Sequence, residues 1–107
     1  MTDEERTIFY AGVAQARAKA YVQHTSRGQR RPYLEVMFRD LEAAEGMQEH
    51  FGVGKIRTET PRYRQDIRNH VLRVNGQKAL DVIERLLPYL TGDTEKACRS
   101  ALERCGR

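Results

Sequence analysis

The sequence predicts an α+β domain, with a four-stranded antiparallel sheet, helices on one face of it and an extra carboxy-terminal helix. Stretches with helical spacing of apolar residues occur at the start, in the middle and at the end of the chain. Between them lie short stretches that alternate apolar and polar residues, separated by turns rich in Gly and polar residues. A chain of 107 residues is long enough for one hydrophobic core, so residues 1–107 are expected to form one domain.

The amino-terminal part predicts a capped helix followed by a hairpin. Thr2 and Glu5 have the spacing of a capping box, which fixes the start of the helix. The helix then carries apolar or small residues at helical spacing, namely Ile8, Phe9, Gly12, Val13 and Ala16. Residues 19–25 and 32–39 alternate, and a polar turn containing Gly28 joins them. These two segments are therefore expected to pair as antiparallel strands.

The rest of the chain predicts two more strands and three more helices. The expected elements are a helix capped by Asp40 and ended by Gly52, strands at 53–59 and 70–74, and helices at 77–87 and 93–105. A polar loop at 60–66 separates the strands, and Pro88 stops the helix before it. Because the helices are expected on one side only, the other face of the sheet is left bare and needs a partner.

The composition favours an intracellular protein with a polyanionic partner. Nineteen Lys and Arg against fifteen Asp and Glu give a net charge of +4 and a pI near 9.3. We expect no membrane segment, because no run of about 18 apolar residues exists, and the acidic start is not typical of a signal peptide. Cys98 and Cys105 are too far apart on one helix for a disulfide. No Cys/His group has zinc-ligand spacing, and no cofactor is expected. The two cysteines are expected to be reduced thiols, which together with the start of the chain predicts a cytoplasmic location.

Three separated segments resemble the LAGLIDADG homing endonucleases. They are Phe51–Ile56 (Phe-Gly-Val-Gly-Lys-Ile), Val71–Leu80 and Leu86–Leu90 (Leu-Leu-Pro-Tyr-Leu), and they occur in the order found in that family. The resemblance implies an αββαββα unit whose saddle-shaped sheet lies over the major groove of double-stranded DNA. This order of elements matches the one expected from the residue pattern, with one helix added at the carboxyl end.

The motif that names this family aligns with Tyr10–Ala18. One motif in the chain implies a homodimer, in which the small residues let two copies of this helix approach each other. The implied interface residues are Ala11, Gly12, Gln15 and Ala16. The position that holds a divalent metal through Asp or Glu in the family is Arg17 here, and a guanidinium has no lone pair to donate to a metal. The sequence therefore predicts a degenerate motif without catalytic residues or a metal, in a DNA-binding protein that is not an enzyme.

Strand alternation places a polar, basic set of side chains on the bare face of the sheet. The side chains expected to contact DNA are Lys19, Tyr21, Gln23, Thr25, Arg27, Arg30, Arg31, Tyr33, Arg39, Lys55, Arg57 and Arg73. Of these, Gln23, Arg39, Arg57 and Arg73 are the candidates for reading bases, because Arg and Gln form paired hydrogen bonds with guanine and adenine. The arginines of the two loops, including Arg62, Arg64 and Arg68, are expected to contact phosphates.

The preferred hypothesis is a sequence-specific DNA-binding homodimer on a pseudo-palindromic site, catalytically inactive and acting as a transcriptional regulator. One alternative is an active metal-dependent homing endonuclease or nickase with a rearranged site. A second is a protein-interaction module that no longer binds DNA. Cleavage of a plasmid, and the salt dependence of DNA binding, distinguish the three.

Overall fold

The chain folds into a four-stranded antiparallel sheet whose strands lie in the order β1-β2-β4-β3, with four helices on one side. The computed structural model describes all residues, Met1–Arg107. The elements are α1 (Asp3–Arg17), β1 (Ala18–His24), β2 (Arg30–Phe38), α2 (Leu41–Phe51), β3 (Lys55–Glu59), β4 (Asn69–Asn75), α3 (Gln77–Leu86), a 3₁₀ turn (Leu87–Tyr89) and α4 (Gly92–Arg104). The predicted fold class is confirmed.

Helix α1 begins with the predicted capping box. The amide of Glu5 donates to Thr2 Oγ1 at 3.1 Å, and the amide of Thr2 donates to Glu5 Oε1 at 3.0 Å. The helix ends at Arg17, and β1 starts at the next residue because the backbone of Ala18 is already extended. Since no loop separates them, the direction of α1 and the position of β1 are fixed together.

Strands β1 and β2 form the predicted hairpin, with Tyr21 opposite Tyr33. The expected extension of the first strand to Thr25 is wrong. The hydroxyl of Thr25 accepts hydrogen bonds from the amides of Arg27 and Gln29, so this residue holds the turn and is not part of the strand. Gly28 provides the positive φ of 76° that the turn needs.

The second half of the chain follows the prediction with shifted boundaries. Asp40 caps α2, and Gly52 ends it in the left-handed region, as expected. Strand β3 starts two residues later than expected, because Gly54 has a φ of 100° and a Cβ there would lie 2.8 Å from Leu72 Cδ1. Helix α4 starts at Gly92 with Thr91 as its N-cap, one residue before the expected start.

The hydrophobic core lies between the helices and the inner face of the sheet. Leu34 and Val36 of β2 and Leu72 and Val74 of β4 are buried against the helices. In α3 the fully buried residues are Ala79, Leu80, Ile83 and Leu86. The outer face of the sheet does not contribute to this cluster, and no helix packs against it. No helix in the chain is both long enough and apolar enough to cross a membrane.

Candidate nucleic-acid interface

The outer face of the sheet brings basic side chains from all four strands into neighbouring positions. Strand pairing aligns Lys19 of β1, Glu35 of β2, Arg73 of β4 and Lys55 of β3 in one row across the sheet. The next row in one direction contains Tyr21, Tyr33 and Asn75, and the row in the other contains Met37, Val71 and Arg57. The outer face is therefore basic at both edges and carries an acid in the centre.

Two tyrosines and an arginine form a stack in the middle of this face. The rings of Tyr21 and Tyr33 are stacked with their centroids 5.1 Å apart, and the Arg73 guanidinium lies 4.2 Å from the Tyr33 centroid. Tyr33 is consequently only 6% exposed, although it belongs to the outer face. The expectation that Tyr33 contacts DNA directly is therefore wrong for its ring, which supports Arg73 from below.

Glu35 is the centre of a hydrogen-bonded network that the sequence reading missed. Tyr21 donates its hydroxyl to Glu35 Oε1 at 3.0 Å, and Arg57 Nη2 lies 3.0 Å from Glu35 Oε2. Arg57 Nε also donates to Glu59 Oε1 at 2.6 Å. Glu35 and Glu59 thus hold Arg57 in place. Their signal in the sequence is the Arg57 to Glu59 spacing, which puts both side chains on one face of a strand.

The protonation of Glu35 is controlled by the same network. Burial by itself would raise the pKa of Glu35, but the hydrogen bonds from Tyr21 and Arg57 outweigh it and hold the pKa below its ordinary value. The pKa of the Tyr21 hydroxyl is raised, first by its burial and then by its bond to Glu35. Glu35 is therefore ionised at neutral pH, and its charge is balanced by the arginines around it.

The lowered pKa of Glu35 predicts a pH-dependent contribution to stability. A carboxyl whose pKa is lower in the folded state stabilises the fold above its unfolded pKa, and this stabilisation is lost as the pH falls through the folded pKa. We expect Glu35→Gln to lower the free energy of unfolding in urea at pH 7 and to have little effect at pH 3. Glu45→Gln, on the exposed side of α2, is the control. An effect of Glu35→Gln that is equal at both pH values would contradict this assignment.

The arginines expected to contact phosphates differ in their surroundings. Arg30 is directed to the helix side of the sheet, where its Nη1 donates to the carbonyl oxygen of Arg104 at 2.6 Å, so its placement on the DNA face is wrong. The reason is strand alternation, since Arg30 shares a side with Pro32 and Leu34. Arg64 is paired twice with Asp66 in the loop between β3 and β4. The remaining exposed arginines at or beside the outer face are Arg27, Arg31, Arg39, Arg62 and Arg68.

Helix α1 turns a different side outward from the one expected. Ala11 is completely buried against its own chain, so its assignment to a dimer interface is wrong. Gln15 is also engaged, since its side chain bonds to both the amide and the carbonyl of Thr91 at 2.8 and 2.9 Å. The outward stripe consists of Ile8, Phe9, Gly12 and Ala16, and the two large residues are 46% and 54% exposed.

Gly12 lies in this outward stripe with open space in front of it. A Cβ built at Gly12 meets no other atom within 4 Å. Because glycine inside a helix costs about 1 kcal/mol relative to alanine, the isolated chain gives no reason for a glycine here. A close approach of another backbone is the usual reason for such a residue.

The carboxyl end of α1 does not provide ligands for a divalent cation. Arg17 is exposed in the last turn of the helix and takes the place of the carboxylate that the resemblance implies. Within one chain, no three His, Cys, Asp or Glu side chains lie close enough together to hold a metal ion. A metal site shared by two copies would have to take its carboxylates from other positions, so no chemical step is assigned to a metal here.

Comparison with known proteins shows similarity at the level of the fold. No family model and no curated protein match the sequence. Among solved structures, the chain resembles the homing endonuclease I-CvuI in complex with its target, with a TM-score of 0.73 and 24% identity over 94% of this chain and 66% of that one. It also resembles the LAGLIDADG meganuclease I-CpaMI bound to uncleaved DNA, with a TM-score of 0.65 and 22% identity over 91% of this chain and 37% of that one.

An archaeal intron-encoded homing endonuclease, I-Vdi141I, was also solved in complex with DNA. It matches with a TM-score of 0.65 and 14% identity over 92% of this chain and 67% of that one. This chain thus has the fold of the LAGLIDADG homing endonucleases and spans about two thirds or less of the solved chains. The expectation of a non-enzyme is overturned, because these neighbours are described as endonucleases and meganucleases. The missing carboxylate at position 17 does not by itself exclude endonuclease activity.

Proposed function

We propose that this chain binds double-stranded DNA sequence-specifically, as a homodimer in which the outer face of each sheet covers one half-site. The observation that carries the proposal is the bare outer face, with basic side chains from all four strands and no covering helix. A two-stranded β-ribbon fits the major groove, where all four base pairs present different donors and acceptors. The DNA bound by the neighbours of the same fold supports this choice of partner.

The polar residues of the outer face divide into two groups by their contacts. Arg57 and Arg73 are held by protein groups, Arg57 by two acids and Arg73 by the Tyr33 ring. Fixed side chains suit the directional hydrogen bonds by which bases are read. Arg27 and Arg31 are exposed at the hairpin end and make no salt bridge. Exposed charges without an ion-pair partner suit phosphates, and phosphate contacts fix position without reading sequence.

The outward stripe of α1 supports assembly of two copies. Ile8 and Phe9 are large apolar side chains left in solvent, and Gly12 and Ala16, further along the same side of the helix, allow close backbone contact. A two-fold axis through this stripe would bring the same surface of the two copies together, and two-fold symmetry is the commonest symmetry of oligomers. Two identical half-sites related by that axis make the preferred DNA site pseudo-palindromic.

The test is selection from a random DNA library, followed by titration of the selected duplex at several salt concentrations. We expect a two-fold symmetric consensus and an affinity that falls steeply with salt, because many cations would neutralise phosphates. Light scattering at micromolar concentration should show a dimer. If the protein shows no salt-dependent binding to any duplex, DNA binding is excluded and a protein-interaction role is favoured. Regulation of transcription remains a prediction from the sequence.

Cleavage of DNA is the second candidate function, and the endonuclease names of the structural neighbours favour it. A supercoiled plasmid that carries the selected site is incubated with the protein and Mg²⁺ or Mn²⁺. Nicked or linear product cut at that site would establish endonuclease activity. If the protein binds the plasmid without cutting it, DNA binding without cleavage is the function that remains.

A further inference from the structure

The carboxyl end of α4 contacts the end of the β1–β2 hairpin on the helix side of the sheet. Arg30 Nη1 donates to the backbone carbonyl oxygen of Arg104 at 2.6 Å, and Arg104 Nη2 lies 3.0 Å from His24 Nε2. Because an arginine side chain can only donate, His24 accepts through an unprotonated Nε2 atom. His24 and Arg30 are the pair of residues next to the turn of the hairpin. One residue of α4 therefore holds both strands at the hairpin end.

The part of α4 that makes this contact is itself fixed. The last carbonyl groups of a helix have no partner inside the helix, so the Arg104 carbonyl is free to accept from Arg30. A cation at this end also interacts favourably with the helix dipole. Just beyond α4, the guanidinium of Arg107 donates to Gln77 Oε1 at 2.6 Å and to Asp81 Oδ1 at 2.7 Å, both on α3. The hairpin is therefore held by a helix end that α3 keeps in place.

The other end of α4 is bonded to α1. The side chain of Gln15, in the last turn of α1, bonds to both the amide and the carbonyl of Thr91, which is the N-cap of α4. Thr94 also donates its hydroxyl to the Gln15 carbonyl oxygen at 3.0 Å. Between the two ends, Cys98 and Leu102 are buried in the core. Helix α4 thus links the helix that carries the outward stripe to the end of the hairpin.

The contact with α4 lies directly beside two residues that are expected to bind DNA. Strand alternation puts His24 and Arg30 on the inner side of the sheet, and the neighbouring pair, Gln23 and Arg31, on the outer side. In a dimer joined through α1, Gln23 and Arg31 have to reach DNA at a set distance from the two-fold axis. An element fixed to both α1 and the hairpin sets this distance.

We propose that α4 positions the hairpin end relative to α1, through the contact of Arg104 with His24 and Arg30, and thereby sets the half-site spacing that the dimer accepts. This inference rests on the proposed DNA-binding homodimer. The three residues are positioning residues, since they act through the hairpin. One extra base pair moves the half-sites apart by about 3.4 Å and rotates them by about 35°. A fixed hairpin cannot follow that displacement, whereas a hairpin released at its end can.

The experiment compares two double variants at the hairpin contact. His24→Leu/Arg30→Met removes the acceptor and the donor, whereas His24→Gln/Arg30→Lys keeps both. Lys96→Met removes one exposed cation of α4 and controls for the lost charge. Each protein is titrated with the selected duplex and with the same duplex lengthened or shortened by one base pair at its centre.

We expect the unchanged protein to prefer the selected spacing by about tenfold or more. In His24→Leu/Arg30→Met the affinity for the selected duplex should fall about tenfold, because the hairpin has to be ordered on binding, and the preference for spacing should fall to about threefold or less. His24→Gln/Arg30→Lys and Lys96→Met should keep the preference of the unchanged protein.

Hydrogen exchange of the free proteins is the second measurement, and it needs no DNA. The amides of Thr25 and Gly28 are hydrogen-bonded within the turn. They should exchange faster in His24→Leu/Arg30→Met, while the amides of α3 keep their protection, which shows that the change is local. If α3 also loses protection, the single variant His24→Leu replaces the double variant in both measurements.

Four results would overturn the inference. They are an unchanged spacing preference in His24→Leu/Arg30→Met, an equal loss of preference in His24→Gln/Arg30→Lys, an equal loss in Lys96→Met, and unchanged exchange of the turn amides. DNA binding itself survives all four. Failure of the unchanged protein to bind any duplex would instead remove the proposed function, and the role of α4 in spacing with it.

Discussion

Replacing Gly12 with leucine is expected to convert the proposed homodimer into a folded monomer and to weaken the proposed DNA binding on the order of 10² to 10⁴-fold, because the two half-sites are no longer bound together. The larger side chain lies in the outward stripe of α1, where a Cβ meets no atom of its own chain. The monomer should tolerate it, since leucine is a better helix former than glycine by nearly 1 kcal/mol. Light scattering measures the assembly, and a duplex titration measures the affinity.

The control for this prediction is Ser100→Leu, which adds the same side chain to an exposed position of α4. It should keep both the dimer and the affinity. Circular dichroism of Gly12→Leu must show the helix content of the unchanged protein, so that loss of assembly is not loss of fold. A Gly12→Leu protein that remains dimeric at micromolar concentration would show that the two copies meet elsewhere.

Replacing Arg57 with glutamine is expected to remove a base preference at one position in each half-site. The Nε and Nη2 atoms of Arg57 are held by Glu59 and Glu35, and its Nη1 atom has no partner in the chain. A guanidinium fixed in this way can still donate from Nη1 and from the second N–H of Nη2, and these two donors match the two acceptors of guanine. Loss of one such pair costs about 1–3 kcal/mol of discrimination, or roughly 5- to 160-fold in relative affinity.

Selection from a random library measures this effect directly, as a guanine that disappears from the consensus. Arg62→Gln is the matched control, because it removes an exposed loop arginine and should weaken all duplexes alike. Glu59→Gln should relax the same base position partly while raising affinity for scrambled DNA, since a negative charge is removed near the phosphates. If Arg57→Gln weakens every duplex equally, Arg57 contacts phosphate and the acids have no part in specificity.

The local pattern of the sequence predicted most of the elements, because their signals are short-range. The Thr2–Glu5 capping box, the Asp40 cap and the Gly52 helix end depend on residues within one turn, and all three occur as expected. The hairpin and the bare outer face follow from alternation in the same way. The start of β3 was predicted less accurately, because Gly54 before it adopts a φ of 100° that side chains other than glycine rarely adopt.

Helix α1 shows where the local pattern was insufficient. Its most apolar positions, Ile8 and Phe9, face solvent, while the smaller Ala11 and Ala14 face the core. A helix packed closely on its own sheet requires small residues on the inner side, and that requirement depends on the neighbouring elements. The assignment of Ala11 to the interface was therefore wrong, and the outward stripe became visible only in the folded chain.

The sequence by itself determined the fold class, the basic character of the outer face and the absence of a carboxylate at position 17. Only the tertiary structure decided what the side chains of that face do. Strand register places Glu35 beside Arg57 and between Tyr21 and Arg73, residues from four different strands. Register depends on pairing between segments that are distant in the sequence, so the spacing of neighbouring residues does not predict it. For the same reason, the role of Glu35 in organising the outer face could not be predicted from the sequence.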